Sequence, residues 1–136
     1  EVQIIKKLGG GMFGNVYKAK WNDKLVAVKT LSADSPNRDD IMDFCKEVGI
    51  LKALNHPAIV QLLYFFPNPM AIVTELISGG DLEEAIKTHY ATISWKVLTK
   101  ILLDVSRALA YMHSLKPPIY HNDIKVANIL VIDLHA

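Results

Sequence analysis

A run of glycines set between two β-rich stretches places the tightest limit on what this chain can fold into. Gly9, Gly10, Gly11 and Gly14 interrupt a segment whose apolar residues begin at Val2 and Ile4, and Val16-Tyr17-Lys18-Ala19-Lys20 follows at once. Glycine permits a tight turn and lets backbone N–H groups come close to phosphates. The run fits Gly-x-Gly-x-x-Gly-x-Val. A dinucleotide-binding turn of that pattern must open straight into a helix, and a strand-like continuation fits it poorly. On its own the run suits a glycine-rich hairpin as well as it suits a phosphate-binding turn.

The rest of the chain divides in two. Residues 2 to 31 read as strands, with Asn22-Asp23 as a hairpin turn before Leu25-Val26-Ala27-Val28. Residues 32 to 40 are polar, carry Pro36 and read as a loop. Ile41, Phe44, Cys45, Val48, Leu51 and Leu54 recur at helical steps, and His56-Pro57 ends that helix. Ile59 to Phe66 and Met70 to Leu76 read as two buried antiparallel strands. After Ser78-Gly79-Gly80, Asp81 with Glu84 predicts a capped short helix to about Lys87. Ser94 predicts the cap of a longer helix with Leu98, Ile101, Leu102, Val105, Leu109 and Met112 as its apolar stripe, stopped by Pro117-Pro118. Ile129 to Ile132 reads as a short strand. Strands first and helices afterwards predict an α+β fold and not an alternating parallel sheet.

Composition narrows the function classes. With 136 residues the expectation is one domain. A net charge of +1 gives no sign of a nucleic-acid-binding surface. The longest stretch free of charge, Ala53 to Thr74, holds three prolines, Asn55 and Gln61, so no membrane association is indicated. Cys45 stands alone and cannot close an intrachain disulfide, which fits a reducing compartment such as the cytoplasm. The histidines and Cys45 show no zinc-like spacing. The chain opens at Glu1, so it is expected to begin within a longer protein.

Two further groups carry chemistry. Lys29 ends the Val26-Ala27-Val28 strand, and a hairpin partner would bring it under the glycine run. A lysine there needs a carboxylate, and Glu47 lies beside the apolar helix face marked by Phe44 and Val48. His121-Asn122-Asp123-Ile124-Lys125-Val126-Ala127-Asn128 sets three useful groups in one turn. Asp accepts a hydroxyl proton, Lys neutralises a moving phosphoryl group, and Asn oxygen ligates a hard cation. Taken singly, a strand lysine that snorkels and a solvated turn aspartate are the commoner cases.

In this order and spacing the three groups closely resemble the signature set of the eukaryotic protein kinases. His56-Pro57 then resembles the turn after the family's αC helix, Ile72 to Ile77 its fifth strand and hinge, and Asp81-Leu82 the start of its αD helix. The resemblance implies a five-stranded antiparallel N-lobe with one helix over 1–76, a hinge at 77–80, and the start of a helical C-lobe over 81–136. It implies ATP and Mg²⁺ as cofactors and a protein as substrate. Gly9, Gly11 and Gly14 would cover the phosphates, while Leu8, Val16, Ala27 and Leu130 would enclose adenine. Thr74 would be the gatekeeper, with backbone groups of Glu75 and Ile77 on the adenine edge. Lys29, paired with Glu47, would hold the α- and β-phosphates. Asp123 would orient the substrate hydroxyl and take its proton, Lys125 would stabilise the γ-phosphoryl group, and Asn128 would hold Mg²⁺. The Asp-x-Lys-x-x-Asn pattern is that of serine/threonine and tyrosine-kinase-like members.

Two departures bear on activity. Asn122 stands where the family usually has Arg, which implies an enzyme not switched on through an activation-loop phosphate. The family's Asp-Phe-Gly motif is expected beyond Ala136, so this stretch alone is expected to be inactive, with α-helical apolar surface left uncovered. An ATP-binding pseudokinase or scaffold is the alternative, and a small-molecule kinase of the same fold a third. The location implied is the cytoplasm or the cytoplasmic side of a membrane receptor.

Overall fold

The computed structural model describes residues 1–11, 14–31 and 36–134. Met12 and Phe13 of the glycine run, and residues 32–35 of the expected polar loop, lie outside the described residues. The chain forms two compact units, one of residues 1–55 and 60–76, the other of residues 56–59 and 77–136. His56–Ile59 therefore groups with the second unit, although it lies within the segment read as the first lobe.

The first unit is a five-stranded antiparallel sheet with one helix. Its strands are β1 (Val2–Gly11), β2 (Gly14–Trp21), β3 (Lys24–Thr30), β4 (Leu62–Pro67) and β5 (Met70–Glu75), in the order β1-β2-β3-β5-β4. Asn22 and Asp23 both have positive φ, 48° and 60°, the conformation of a two-residue turn whose twist matches the flanking strands. Cross-strand register sorts the side chains into two faces. Ala19, Val26, Val28, Ala71 and Val73 share one face and form its buried core, with Val2, Trp21 and Phe66 packed at the margin. The Trp21 and Tyr64 rings approach to 5.5 Å although β3 and β5 lie between their strands. A flat sheet would hold them about 14 Å apart. The sheet therefore coils around this core.

On the other face, Gly9, Val16, Lys29, Ile72 and Phe65 fall in one cross-strand row. Helix α1 (Arg38–Ala53) lies against this face through Phe44, its one buried residue, whose ring sits 6.4 Å from that of Phe65. The helix starts three residues before Ile41, the first residue of the expected periodic stretch. Asn37 caps it in a reciprocal box with Asp40, at 2.8 and 3.1 Å. The polar residues 37–40, read as loop, are the first turn and its cap. Cys45, counted in the apolar face, is exposed. β4 begins at Leu62 and not at Ile59, because His56 turns the chain there. Its carbonyl accepts from the Ile59 N–H at 3.0 Å and its Nδ1 accepts from the Ala58 N–H at 3.0 Å.

Gly14 shows what the sheet demands of one glycine. Its φ is +135°, and a Cβ there would sit 2.1 Å from the Thr30 carbonyl oxygen. Backbone cannot yield as a flexible side chain does. Gly14→Ala is expected to cost about 1–3 kcal/mol in urea unfolding. Gly9→Ala is the control: a Cβ there meets nothing within 4 Å, so the change stays within about 0.5 kcal/mol.

The second unit holds α2 (Leu82–His89) and α3 (Trp95–Ser114). Asp81 caps α2 by accepting from the Glu84 N–H at 2.9 Å, and Ser94 caps α3 by accepting from the Val97 N–H at 3.2 Å. The buried face of α3 runs through Val97, Ala108 and Met112. Leu102, placed in the stripe, is 64% exposed, since it lies outside the row of steps of four that joins Val97, Ile101 and Val105. Ile129 to Ile132 is not a strand. It makes one isolated bridge, Leu130 opposite Asp81. The Leu82 N–H donates to the Ile129 carbonyl at 2.7 Å, and the Val131 N–H to that of Gly80 at 2.9 Å. The ladder stops because its partner turns into α2. Val131 joins Leu82 and Ala85 in the core of this unit. Gly79 is needed for the approach: a Cβ there would lie 2.0 Å from the Val131 carbonyl oxygen.

Candidate active site

The first unit gathers most of the expected nucleotide-binding residues on the sheet face that carries α1. Val16 stands opposite Lys29, and Ala27 opposite Thr74, so all four share that face. Alternation along β3 puts Val26 and Val28 into the opposite core and turns Ala27 and Lys29 this way. Lys29 Nζ donates to both Glu47 oxygens, at 2.9 and 2.7 Å. Glu47 is one helical step of three after Phe44, so the turn that seats Phe44 on Phe65 also carries the carboxylate to the lysine. The two side chains are 25% and 39% exposed. A pair this open adds about 1 kcal/mol or less to stability. Its consequence is geometric: it holds an ammonium group in place on the row that begins at Gly9.

At the end of β5, the Glu75 N–H donates to the Gln61 carbonyl at 3.1 Å, and the Glu75 Oε1 accepts from the Gln61 N–H at 2.9 Å. Both the backbone and the side chain of Glu75 thus bind the approach to β4. Thr74 Oγ1 donates to the Glu75 carbonyl at 3.3 Å. The family resemblance implies a role only for the backbone of Glu75, and no sequence pattern links residues fourteen apart. Leu8 falls at the register shift between Lys7 and Gly9 and is about half exposed.

The second unit holds the other candidates. Ile77 is half-buried just after β5, and Leu130 is about half exposed at its bridge. Asp123 lies in an irregular loop that closes with a 3-10 turn over Val126–Asn128. Asn128 Nδ2 donates to the Asp123 carbonyl at 2.8 Å and to its Oδ2 at 3.0 Å. Lys125 Nζ lies 3.4 Å from the same Oδ2. The Asp123 N–H donates to His121 Nδ1 at 3.2 Å, a loop-shaping contact that residue types alone did not suggest. Asn122, between them, has φ of 62°. Asn tolerates that left-handed conformation better than most residues.

The Asn128 amide, and then Lys125, hold the Asp123 carboxyl below its ordinary value. Asp123 is therefore ionised at neutral pH. Because its folded value is lowered, any stabilisation it brings is present above the ordinary carboxylate range and fades as pH falls through the lowered value. Asn128→Ala removes the largest cause. Carbon-detected NMR of the Asp123 carboxyl is expected to show its titration move to higher pH. An unmoved midpoint would show that the amide does not act on it.

The residues suit the cofactors that this constellation implies. Asn128 spends its Nδ2 on Asp123, which leaves the amide oxygen as a hard donor suited to Mg²⁺. Among the described residues no three His, Cys, Asp or Glu side chains converge to hold a metal. Gly9 borders open space beside the Lys29 row, which suits close approach of phosphates.

The family profile described as the protein kinase domain matches residues 2–135. The "Probable serine/threonine-protein kinase roco5" of Dictyostelium discoideum is 36% identical over 141 residues, covering 100% of this chain and 5% of that protein. The "Serine/threonine-protein kinase TNNI3K" of Mus musculus is 36% identical over 137 residues, covering 98% of this chain and 16% of that protein. The "Probable serine/threonine-protein kinase drkA" of Dictyostelium discoideum is 32% identical over 133 residues, covering 96% of this chain and 21% of that protein. The chain thus spans a small part of the length of these relatives. With glycine run, paired lysine and aspartate loop all in place within the matched stretch, this chain belongs to the protein kinase domain family.

Proposed function

We propose that the intact protein is an ATP-dependent kinase that phosphorylates serine and threonine hydroxyls of protein substrates. The observation that carries the reading is the Asp123 loop, where an ionised carboxylate, Lys125 and Asn128 meet within hydrogen-bond or ion-pair reach. The serine/threonine-kinase names of the relatives support it.

In this reading Gly9, Gly11 and Gly14 line the phosphates with backbone N–H groups. Lys29, steadied by Glu47, neutralises the α- and β-phosphates. Leu8, Val16, Ala27 and Leu130 shield adenine from water, beside Thr74, the Glu75 carbonyl and the Ile77 N–H. The Glu75 N–H is already bound to Gln61, and the Glu75 carbonyl, which accepts from Thr74 Oγ1, keeps a second lone pair for the base. Asn128 would hold a Mg²⁺ ion, which would supply charge neutralisation on the phosphates. Asp123 receives the hydroxyl hydrogen bond and takes the proton as the new oxygen–phosphorus bond forms and the bond to ADP breaks. Its lowered basicity suits a proton taken late, when the phosphoryl group is already loosely held. Lys125 screens the charge that builds on that group. An exposed free thiol at Cys45 fits action in the cytoplasm or on the cytoplasmic side of a membrane.

Phosphoamino-acid analysis of a degenerate peptide library treated with the intact protein and γ-labelled ATP tests the substrate class. Label on serine and threonine is expected. Label confined to tyrosine would overturn this assignment.

A further inference from the structure

Gln61 and Glu75 meet one step beyond the last rung of the β4–β5 ladder, where Leu62 stands opposite Thr74. In a regular hydrogen-bonded antiparallel pair, each residue gives its N–H to the other's carbonyl. Here only half of that exchange runs between backbones. The Glu75 N–H donates to the Gln61 carbonyl at 3.1 Å, but the Gln61 N–H donates to Glu75 Oε1 at 2.9 Å. The carboxylate stands in for the Glu75 carbonyl. A hydrogen bond to an ionised acceptor is roughly twice as strong as one to a neutral carbonyl, so the side chain wins the single donor.

The released carbonyl of this half-buried residue needs another partner. It accepts from Thr74 Oγ1 at 3.3 Å. Thr74 stands opposite Ala27, on the face that also carries Val16 and Lys29, so the carbonyl is turned toward that face. One long bond leaves it a free lone pair.

Two simpler roles for the carboxylate do not fit. Among the described residues it makes no ion pair. Nor does closing the strand end require a side chain, because the Glu75 carbonyl would close it alone.

We propose that the Glu75 side chain is a positioning residue for base selection: by occupying the Gln61 N–H, it frees the Glu75 carbonyl to accept from the 6-amino group of adenine. The inference rests on the nucleotide reading above and adds to it the group that sets purine preference. A purine with a 6-amino group supplies the donor that the carbonyl lacks. A purine without one leaves the carbonyl with the Thr74 hydroxyl alone, and a polar group left short of a partner is what discriminates between such ligands. If the carboxylate is removed, the carbonyl swings back to the Gln61 N–H, completes the regular pair and is lost to the base.

The test is calorimetric titration of the intact protein, with Mg²⁺ present, against ATP and against purine riboside triphosphate, which lacks only the 6-amino group. Wild type is expected to bind ATP about tenfold more tightly than the analogue. Glu75→Met keeps the side-chain length without an acceptor, and is expected to cut that preference to about twofold or less, the loss falling on ATP. Glu75→Gln keeps an acceptor of the same reach and is expected to retain a preference of at least about fivefold. An unchanged preference in Glu75→Met would overturn the proposal. So would equal weakening of both nucleotides, the mark of a merely structural residue, or a Glu75→Gln protein as indifferent as Glu75→Met. Wild type that binds neither nucleotide would overturn the kinase reading itself, and this proposal with it.

Discussion

Lys29→Met in the intact protein is expected to lower phosphoryl transfer by about 10³-fold, with little change in unfolding free energy. The two halves of that expectation come from different parts of the structure. The ion pair with Glu47 is a quarter to two-fifths exposed, so its loss removes little stability. Methionine keeps most of the side-chain length on a row whose neighbours, Val16 and Ile72, are apolar. What disappears is the single ammonium group that Glu47 holds with both oxygens. In a site that excludes water, a fixed charge on a phosphate contributes several kcal/mol to the transition state. Glu47→Gln is expected to fall between wild type and Lys29→Met, because it keeps the hydrogen-bond acceptor and removes the charge. Circular dichroism melting checks the fold, and initial rates of transfer check the chemistry. A Lys29→Met protein that retained its rate would remove the lysine from the mechanism.

Asp123→Asn is expected to lower kcat by about 10²–10⁴-fold with the ATP dissociation constant changed by less than about threefold. The carboxylate is exposed, and its partners Lys125 and Asn128 are in the same loop. The substitution therefore keeps the shape and removes the proton acceptor. Stopped-flow binding of a fluorescent ATP analogue, set beside steady-state rates, separates the two quantities. If binding and rate fell together, Asp123 would be a structural residue of the loop and not the group that meets the hydroxyl.

Much of the fold was legible because its signals are short-range. Asp81 and Ser94 announce helix starts through bonds that reach only three residues ahead. Asn22-Asp23 marks a turn by residue type alone. The misses share one cause, which is that the deciding partner lies elsewhere. Residues 37–40 look like loop until Asn37 and Asp40 are seen to cap each other. Ile129–Ile132 has strand composition, yet the segment it meets at Asp81 enters a helix at Leu82, so one bridge forms. Leu102 has the right spacing to Leu98 but lies beyond the buried face of α3.

The candidate site divides in the same way. Lys29 and Glu47 meet because strand alternation and helix period each fix one side chain, and both periods are written in the sequence. The bond from Gln61 to Glu75 and the bond from Asp123 to the His121 ring depend on loop paths that no period describes. The lowered Asp123 value is likewise a matter of where the Asn128 amide points.

The measurement that bears most directly on the account is a single-turnover assay with the intact protein in excess over γ-labelled ATP, Mg²⁺ and a serine/threonine peptide. Wild type is expected to bind ATP and move the label to the peptide, and Asp123→Asn to bind ATP equally well and leave the label on the nucleotide. ATP bound by wild type with no label transferred to any hydroxyl would contradict it and make this domain a nucleotide-binding module.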